Sequence, residues 1–482
     1  MRGNGEFDVV FKDVVELVLD YIKGSDCAPC FNKSVNFMQP EELRKVMQLC
    51  LPLSGNGLSD VVDTVREYMQ YSVNTRHPLY FNQLGMGGTD NVAVLAELVT
   101  AAVNAGVYTY EAAPASTLLE ETVVDELCRL VGFPNGSGVF TSGGSISSTH
   151  ALMIARDRLR ARGIRELERH TVYTSEEGHY WISKACHICG IPLENCVRVP
   201  VNENYQIDIH MLEQFMQSDV RAGKVPALVC ATIGTTTFGA FDDIVGCRRV
   251  CDMFDCWLHL DGAWGGAAIF CKNLRSLFAG MNTADSMCIN PHKLLGIPYS
   301  CSILLVKDKT NLLHGFKNEP SATYLFHEEE YDAIHDRGRT NIQCSRRADA
   351  FKLWLSWRVH GCDGFEARIS SLLSNAKYFT ELIKTHPRFI LLQEPQFLNV
   401  CFWFIPKSLE GVDAHSPEFR NRIGDVTAKI KQRMLETGAL LVTFVSTKEY
   451  PNFWRIVFND PSVLQSDLDL VVKKIEEIAG DL

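Results

Sequence analysis

The chain has 482 residues, 46% hydrophobic and 22% charged, the composition of a globular protein with a large core rather than a disordered or fibrous one. Lysine and arginine total 47 against 58 acidic residues; the net charge of −11 argues against a nucleic-acid partner but leaves room for a locally positive pocket. The longest apolar runs, Val400 to Ile405 and Ala439 to Val445, fall far short of a membrane span, and the opening MRGNGEFDVVF lacks a signal peptide's basic-then-apolar order, so a cytoplasmic chain is expected.

Residues 1 to about 75 read as a helical arm. Val14, Leu17, Val18 and Tyr21 share one helical face, and Glu41 to Leu51 repeats the spacing. From 76 to 355 short apolar runs alternate with helical patterns. Strands are expected at Thr171 to Tyr173, Val197 to Val201, Ala227 to Thr232, Trp257 to Leu260, Met287 to Ile289 and Cys301 to Val306, with a helix over Ile244 to Phe254. Such alternation predicts a largely parallel sheet covered on both faces.

The segment 356 to 482 reads differently. A helical region over Phe351 to Thr385 leads into strands at Asn399 to Ile405, Leu440 to Phe444 and Phe453 to Phe458, with a surface loop over Lys407 to Glu418. A closing amphipathic helix is expected, capped by Ser466 with Asp469 in the capping-box position and Leu468, Val471, Val472 and Ile475 as its apolar stripe. The expectation is a helical arm (1–75), a large α/β domain (76–355) and a smaller α+β domain (356–482).

The 17 cysteines are scattered, several inside apolar runs (Cys230, Cys256, Cys301, Cys401), and read as reduced core thiols. Cys27/Cys30 and Cys186/Cys189 have CxxC spacing but lie about 155 residues apart, so no metal site is expected.

Three segments carry chemistry. Thr141 to Ser148, TSGGSISS, runs into a helix marked by Ala151, Ile154, Ala155 and Leu159; free N–H groups, hydroxyls and the helix dipole suit a phosphate, although a plain capped Gly/Ser loop reads equally well. Trp257 to Gly266, WLHLDGAWGG, ends an apolar strand in Asp261 and then small residues; a carboxylate there could keep a pyridinium nitrogen protonated, or merely cap a turn. Asn290-Pro291-His292-Lys293 follows a buried strand, where a desolvated lysine amine could form an imine with an aldehyde, though most lysines are solvated surface charges. Together, and in this order, the three supply the fixed points a pyridoxal phosphate ring needs.

The sequence also resembles the group II pyridoxal-phosphate decarboxylases, in particular the branch acting on cysteine sulfinate, glutamate and aspartate. The resemblance runs from about Val62 to Leu482. It rests on HPLYFNQL (77–84), YTYEAAP (108–114), SGGSIS (142–147), SEEGHYWISKA (175–185), ATIGTTTFGAFD (231–242), HLDGAWGG (259–266), NPHK (290–293), YLF (324–326) and NVCFWFIP (399–406). It implies a pyridoxal-phosphate-dependent transferase-like fold of the aspartate aminotransferase type, and a homodimer with its active site at the subunit interface. By the same resemblance Lys293 is the Schiff-base lysine, Asp261 pairs with the ring nitrogen, and His179 stacks on the ring. Ser145, Ser147, Asn290 and His292 hold the phosphate or its surroundings, and Thr232 lies near the ring. Tyr324, on a charged loop (Glu319 to Arg339), returns a proton to Cα, and Arg455 receives a substrate carboxylate.

Gln83 and Gly85 mark a departure. The glutamate-acting branch carries Ser-Thr-Gly after NQL, the cysteine sulfinate branch a bulkier first residue, and this chain reads Gly85-Met86. The region is expected to bind the distal end of the substrate. The resemblance therefore implies cysteine sulfinate or aspartate first and glutamate next. An aromatic-amino-acid decarboxylase, an aminotransferase and a catalytically silent homologue are the rival readings.

Overall fold

The computed structural model describes residues 5–24, 31–315, 324–326, 335–480 and 482. Its strands are, in chain order, β1 (Tyr80–Phe81), β2 (Ser137–Thr141), β3 (His170–Ser175), β4 (Cys196–Val199), β5 (Val225–Thr232), β6 (Trp257–Gly262), β7 (Ser286–Ile289), β8 (Ser302–Val306), β9 (Phe389–Leu391), β10 (Asn399–Phe404), β11 (Leu441–Val445) and β12 (Phe453–Val457). The chain divides into two compact units. One is Leu84–Leu373 with Gln396–Leu398; the other is Met1–Gln83 with Ser374–Pro395 and Asn399–Leu482.

The first unit holds a seven-stranded sheet in the order β2-β8-β7-β6-β5-β3-β4. Strands β7, β6, β5, β3 and β4 are mutually parallel, and β8 runs antiparallel to both its neighbours, β2 and β7. Every residue of β3, β6, β7 and β8 is buried, which is why these segments read as unbroken apolar runs instead of alternating ones. The helix Gly144–Ala161 covers this sheet with Ala151, Leu152, Ile154, Ala155 and Leu159, each larger side chain contributing about 1.5–3 kcal/mol of burial. A helix spans Ile244–Phe254 as the spacing predicts, and Asp243 caps it by accepting from Gly246 N at 3.0 Å. The registers Thr232↔Asp261 and Asp261↔Cys288 set the carboxyl ends of β5, β6 and β7 side by side. There an open α/β sheet receives its ligand.

The second unit has a five-stranded sheet, β1-β11-β12-β10-β9, antiparallel except for the β1–β11 pair. Its helices include Gly5–Lys23, Pro40–Val46, Val61–Tyr71, Pro417–Thr437 and Gln465–Ala479. Three details differ from expectation. The helix expected over Glu41 to Leu51 ends at Val46, where Met47 caps it and Gln48 turns the chain into the left-handed region at φ 45°. The expected loop over Lys407 to Glu418 starts with a 3₁₀ turn that buries Leu409, and ends in a helix capped by Ser416. The final helix begins before Ser466, because the Asp467 carboxylate reaches back to accept from Leu464 N at 2.9 Å, while Asp469 accepts from the Tyr378 hydroxyl at 2.8 Å. Among the described residues no helix is long and apolar enough to cross a membrane.

Candidate active site

The carboxyl ends of β5, β6 and β7 open into a cavity of about 420 Å³. Ser145, His179, Thr232, Asp261, Asn290, His292 and Lys293 all line it, so the three sequence segments meet in one place. Lys293 sits on the short turn of helix Pro291–Leu294 that follows β7. Asp261, near the end of β6, is buried; its Oδ2 accepts from Trp181 Nε1 at 2.7 Å and its Oδ1 from Ala263 N at 3.1 Å. These two bonds fix the carboxylate plane. Burial lowers the pKa of His179, with the Asp261 charge opposing and Lys293 reinforcing. His292 is pushed down to about 3 by burial and by Lys293; its Nδ1 lies 2.6 Å from Cys301 O. Both imidazoles are therefore disposed to be neutral near pH 7.

The phosphate-suited end is built from the start of helix Gly144–Ala161. Gly144 permits a close approach there: a Cβ on it would come 2.7 Å from Asn290 Nδ2 and 3.1 Å from Ala263 Cβ. Ser147 does not line the cavity. It lies beneath, bonded to Thr141 Oγ1 at 2.7 Å and to Ser302 Oγ at 2.9 Å, and Ser302 Oγ donates to Asn290 Oδ1 at 2.6 Å. Thr232 Oγ1 is buried without a hydrogen-bond partner among the described residues, although it borders the cavity. A buried hydroxyl lacking a partner is a costly arrangement unless a ligand completes it. A helix N-terminus, a strand-end carboxylate, a lysine amine and an orphaned hydroxyl around one cavity fit a flat aldehyde-bearing ring with a phosphate arm.

The other expected residues fall elsewhere. Gly85 is buried, and a Cβ on it would lie 2.4 Å from Tyr299 Oη, 3.3 Å from Tyr299 Cζ and 3.2 Å from His292 O. Tyr299 itself lines the cavity and packs its ring 4.5 Å from that of His292. The backbone on either side of it is held by Lys352, whose Nζ donates to Pro298 O and Ser300 O at 3.2 and 2.8 Å and pairs with Glu97 and Asp349. Gln83 and Arg455 belong to the second unit. There the Gln83 side chain is exposed and its carbonyl accepts from Asn459 Nδ2 at 3.0 Å, while Arg455 is buried on β12 opposite Cys401 and Thr443. Tyr324 is 82% exposed; the residues flanking 324–326, including His327 to Glu330 and Asp332, lie outside the described residues, as do Cys27 and Cys30. Sequence reasoning missed Trp181 and Tyr299. Trp181 stood inside a quoted motif with no role, and nothing local to Tyr299 signals its approach to residue 85.

Comparison with known proteins agrees with the pocket. The pyridoxal-dependent decarboxylase conserved domain matches residues 40–405. A cysteine sulfinic acid decarboxylase of Rattus norvegicus is 37% identical over 98% of this chain and 97% of its own length. An acidic amino acid decarboxylase of Xenopus tropicalis is 35% identical, with 98% and 92% covered. The crystal structure of mouse CSAD superposes with a TM-score of 0.93 at 35% identity, covering 99% of both chains.

Proposed function

The chain belongs to the pyridoxal-dependent decarboxylase family, and from that premise we propose that it removes the α-carboxyl group of a small acidic amino acid, cysteine sulfinate or aspartate ahead of glutamate. It is a pyridoxal-phosphate-dependent carboxy-lyase. The substrate reading is supported by relatives named for cysteine sulfinic acid and for acidic amino acids, each matched over nearly the whole chain. The observation that carries the reading is the single cavity shared by Lys293, Asp261 and the start of helix Gly144–Ala161.

When bound, pyridoxal phosphate supplies an electron-withdrawing pyridinium ring into which the electrons of the breaking Cα–carboxyl bond can flow. The chain's residues do the rest. Lys293, lining the cavity, would offer the amine that holds the cofactor's aldehyde. Asp261, its plane fixed by Trp181 and Ala263 N, would pair with the ring nitrogen and favour its protonated form. His179 would lie against the ring, and Thr232 would offer its hydroxyl beside Asp261. Ser145, Asn290 and His292 surround the phosphate, with Ser147 supporting Asn290 through Ser302. Tyr324, contributed by the other subunit of a homodimer, would return a proton to Cα. Arg455 takes the substrate carboxylate in a two-pronged contact, and Gln83 and Gly85 border its distal end. A cytoplasmic site in taurine biosynthesis suits this reading, as do the many buried free thiols.

The test is CO₂ release from the reconstituted enzyme across cysteine sulfinate, aspartate, glutamate, tyrosine and dopa. Turnover of the acidic substrates is expected, cysteine sulfinate or aspartate leading. Activity on tyrosine or dopa alone overturns the substrate class, and keto acid without CO₂ overturns the reaction.

A further inference from the structure

An amino acid with two acidic groups needs a partner for each. The function proposed above gives one carboxylate to Arg455 and sets Gln83 and Gly85 at the distal end, but a glycine has no side chain with which to donate. The space that such a side chain would fill is taken by another residue. A Cβ on Gly85 would lie 2.4 Å from Tyr299 Oη, so it is the phenol of residue 299 that presents chemistry at that point. Tyr299 lines the same cavity as Lys293 and Asp261.

The phenol is held in place from two sides. Its ring packs 4.5 Å from that of His292, and Lys352 Nζ grips the carbonyls of the residues before and after it. Tyr299 as a whole is half-exposed, but its hydroxyl end abuts the buried Gly85. That hydroxyl has no hydrogen-bond partner among the described residues, and desolvation raises its pKa above the usual phenol value, so it remains a donor at neutral pH. Other donors at the cavity are engaged or lie elsewhere: Trp181 Nε1 is bonded to Asp261 Oδ2, and Ser145 and Asn290 sit at the phosphate-suited end.

We propose that Tyr299 Oη is the hydrogen-bond donor to the distal acidic group of the substrate, and that glycine at position 85 leaves the room it occupies. The assignment rests on the acidic-substrate reading and deepens it. A single O–H needs one acceptor oxygen and sets no geometry for a second, so the same donor serves a planar carboxylate and a pyramidal sulfinate. An aliphatic side chain offers no acceptor and would leave the phenol unpaired, which disfavours its binding. A methyl group at residue 85 both displaces the donor and intrudes on the cavity wall, so Gly85→Ala is more damaging than loss of the hydroxyl alone.

The experiment compares the wild-type, Tyr299→Phe and Tyr180→Phe holoenzymes. CO₂ release is followed with cysteine sulfinate and aspartate, and calorimetry measures binding of succinate, a dicarboxylate with no amine to react. Tyr299→Phe keeps the ring against His292 and removes the donor. KM and the succinate Kd are both expected to rise about tenfold, the lower end for a hydrogen bond to a charged group, with kcat nearly unchanged because the contact persists from ground to transition state. Tyr180→Phe removes the hydroxyl of the other tyrosine lining the cavity and leaves both constants where they were. Pyridoxal phosphate affinity stays the same in all three proteins. A wild-type enzyme that releases CO₂ from no acidic amino acid overturns the substrate reading and this assignment with it. An active wild type whose KM and succinate Kd do not move in Tyr299→Phe, move equally in Tyr180→Phe, or move only with a fall in cofactor affinity overturns the assignment alone.

Discussion

Replacing Trp181 with phenylalanine tests whether the geometry of Asp261 governs cofactor binding. The change keeps an aromatic ring in the buried helix start but removes the Nε1–H that donates to Asp261 Oδ2 at 2.7 Å. A hydrogen bond to a charged group contributes about 1.5–3 kcal/mol. Only the Ala263 N–H at 3.1 Å is then left of the two bonds that fix the carboxylate plane. If that whole contribution is expressed in the holding of the pyridinium ring, pyridoxal phosphate affinity falls about 10- to 150-fold. The assay is a titration of cofactor-stripped enzyme, followed by absorbance or by quenching of tryptophan emission. Trp257→Phe is the matched control: it removes a bond of similar length, Nε1 to Ser286 Oγ at 2.8 Å, from a residue that does not border the cavity. Both variants lose stability, but only Trp181→Phe loses affinity. Equal affinities for the two variants refute the reasoning.

Three other outcomes follow from the same structure. Gly85→Ala pushes against Tyr299 Oη, and Tyr299→Phe relieves it; the single change raises KM for the acidic substrate, and the double variant recovers part of the loss, whereas additive effects in a double-mutant cycle refute the contact. Lys352→Met takes the cation from the buried Asp349 carboxylate, and one of two from the half-buried Glu97, and should cost about 3–5 kcal/mol in urea denaturation; a cost under about 1 kcal/mol counts against the network. His259 is buried between Ser286 and Ser148, and burial takes its pKa from 6.5 to about 4, with Asp261 opposing. The unfolded chain therefore binds the extra proton first, so the contribution is intact above pH 6.5 and is lost as the pH falls to 4. The loss is about 3 kcal/mol, and His259→Gln should flatten that part of the stability profile.

The parts of this protein legible in its sequence are those whose physics is local. Lys293 and Asp261 stood at the ends of apolar runs and next to small residues, and strand ends are where an α/β sheet receives ligands. Helix Ile244–Phe254 was readable because its spacing and its aspartate cap agree. What was not legible depends on the third dimension. An apolar run does not state its direction, so the antiparallel course of β8 within a mainly parallel sheet could not be read from Cys301 to Val306. The Trp181–Asp261 bond spans 80 positions. The start of the last helix was misplaced because two aspartates, 467 and 469, offer similar capping signals, and only the first turns back to the chain.

The hydroxyls under the pocket fix more than position. Each carries a single proton, so when Ser302 Oγ gives its own to Asn290 Oδ1, it must receive one from Ser147, while the Thr141 hydroxyl has Gly143 O as well as Ser147 within reach. The row is thus polarised in one direction, and the carboxamide at its end has its oxygen already engaged. Its NH₂ is left facing Gly144 and the cavity. An entering anion meets a donor that needs no turning, and the cost of orienting that amide was met when the sheet folded.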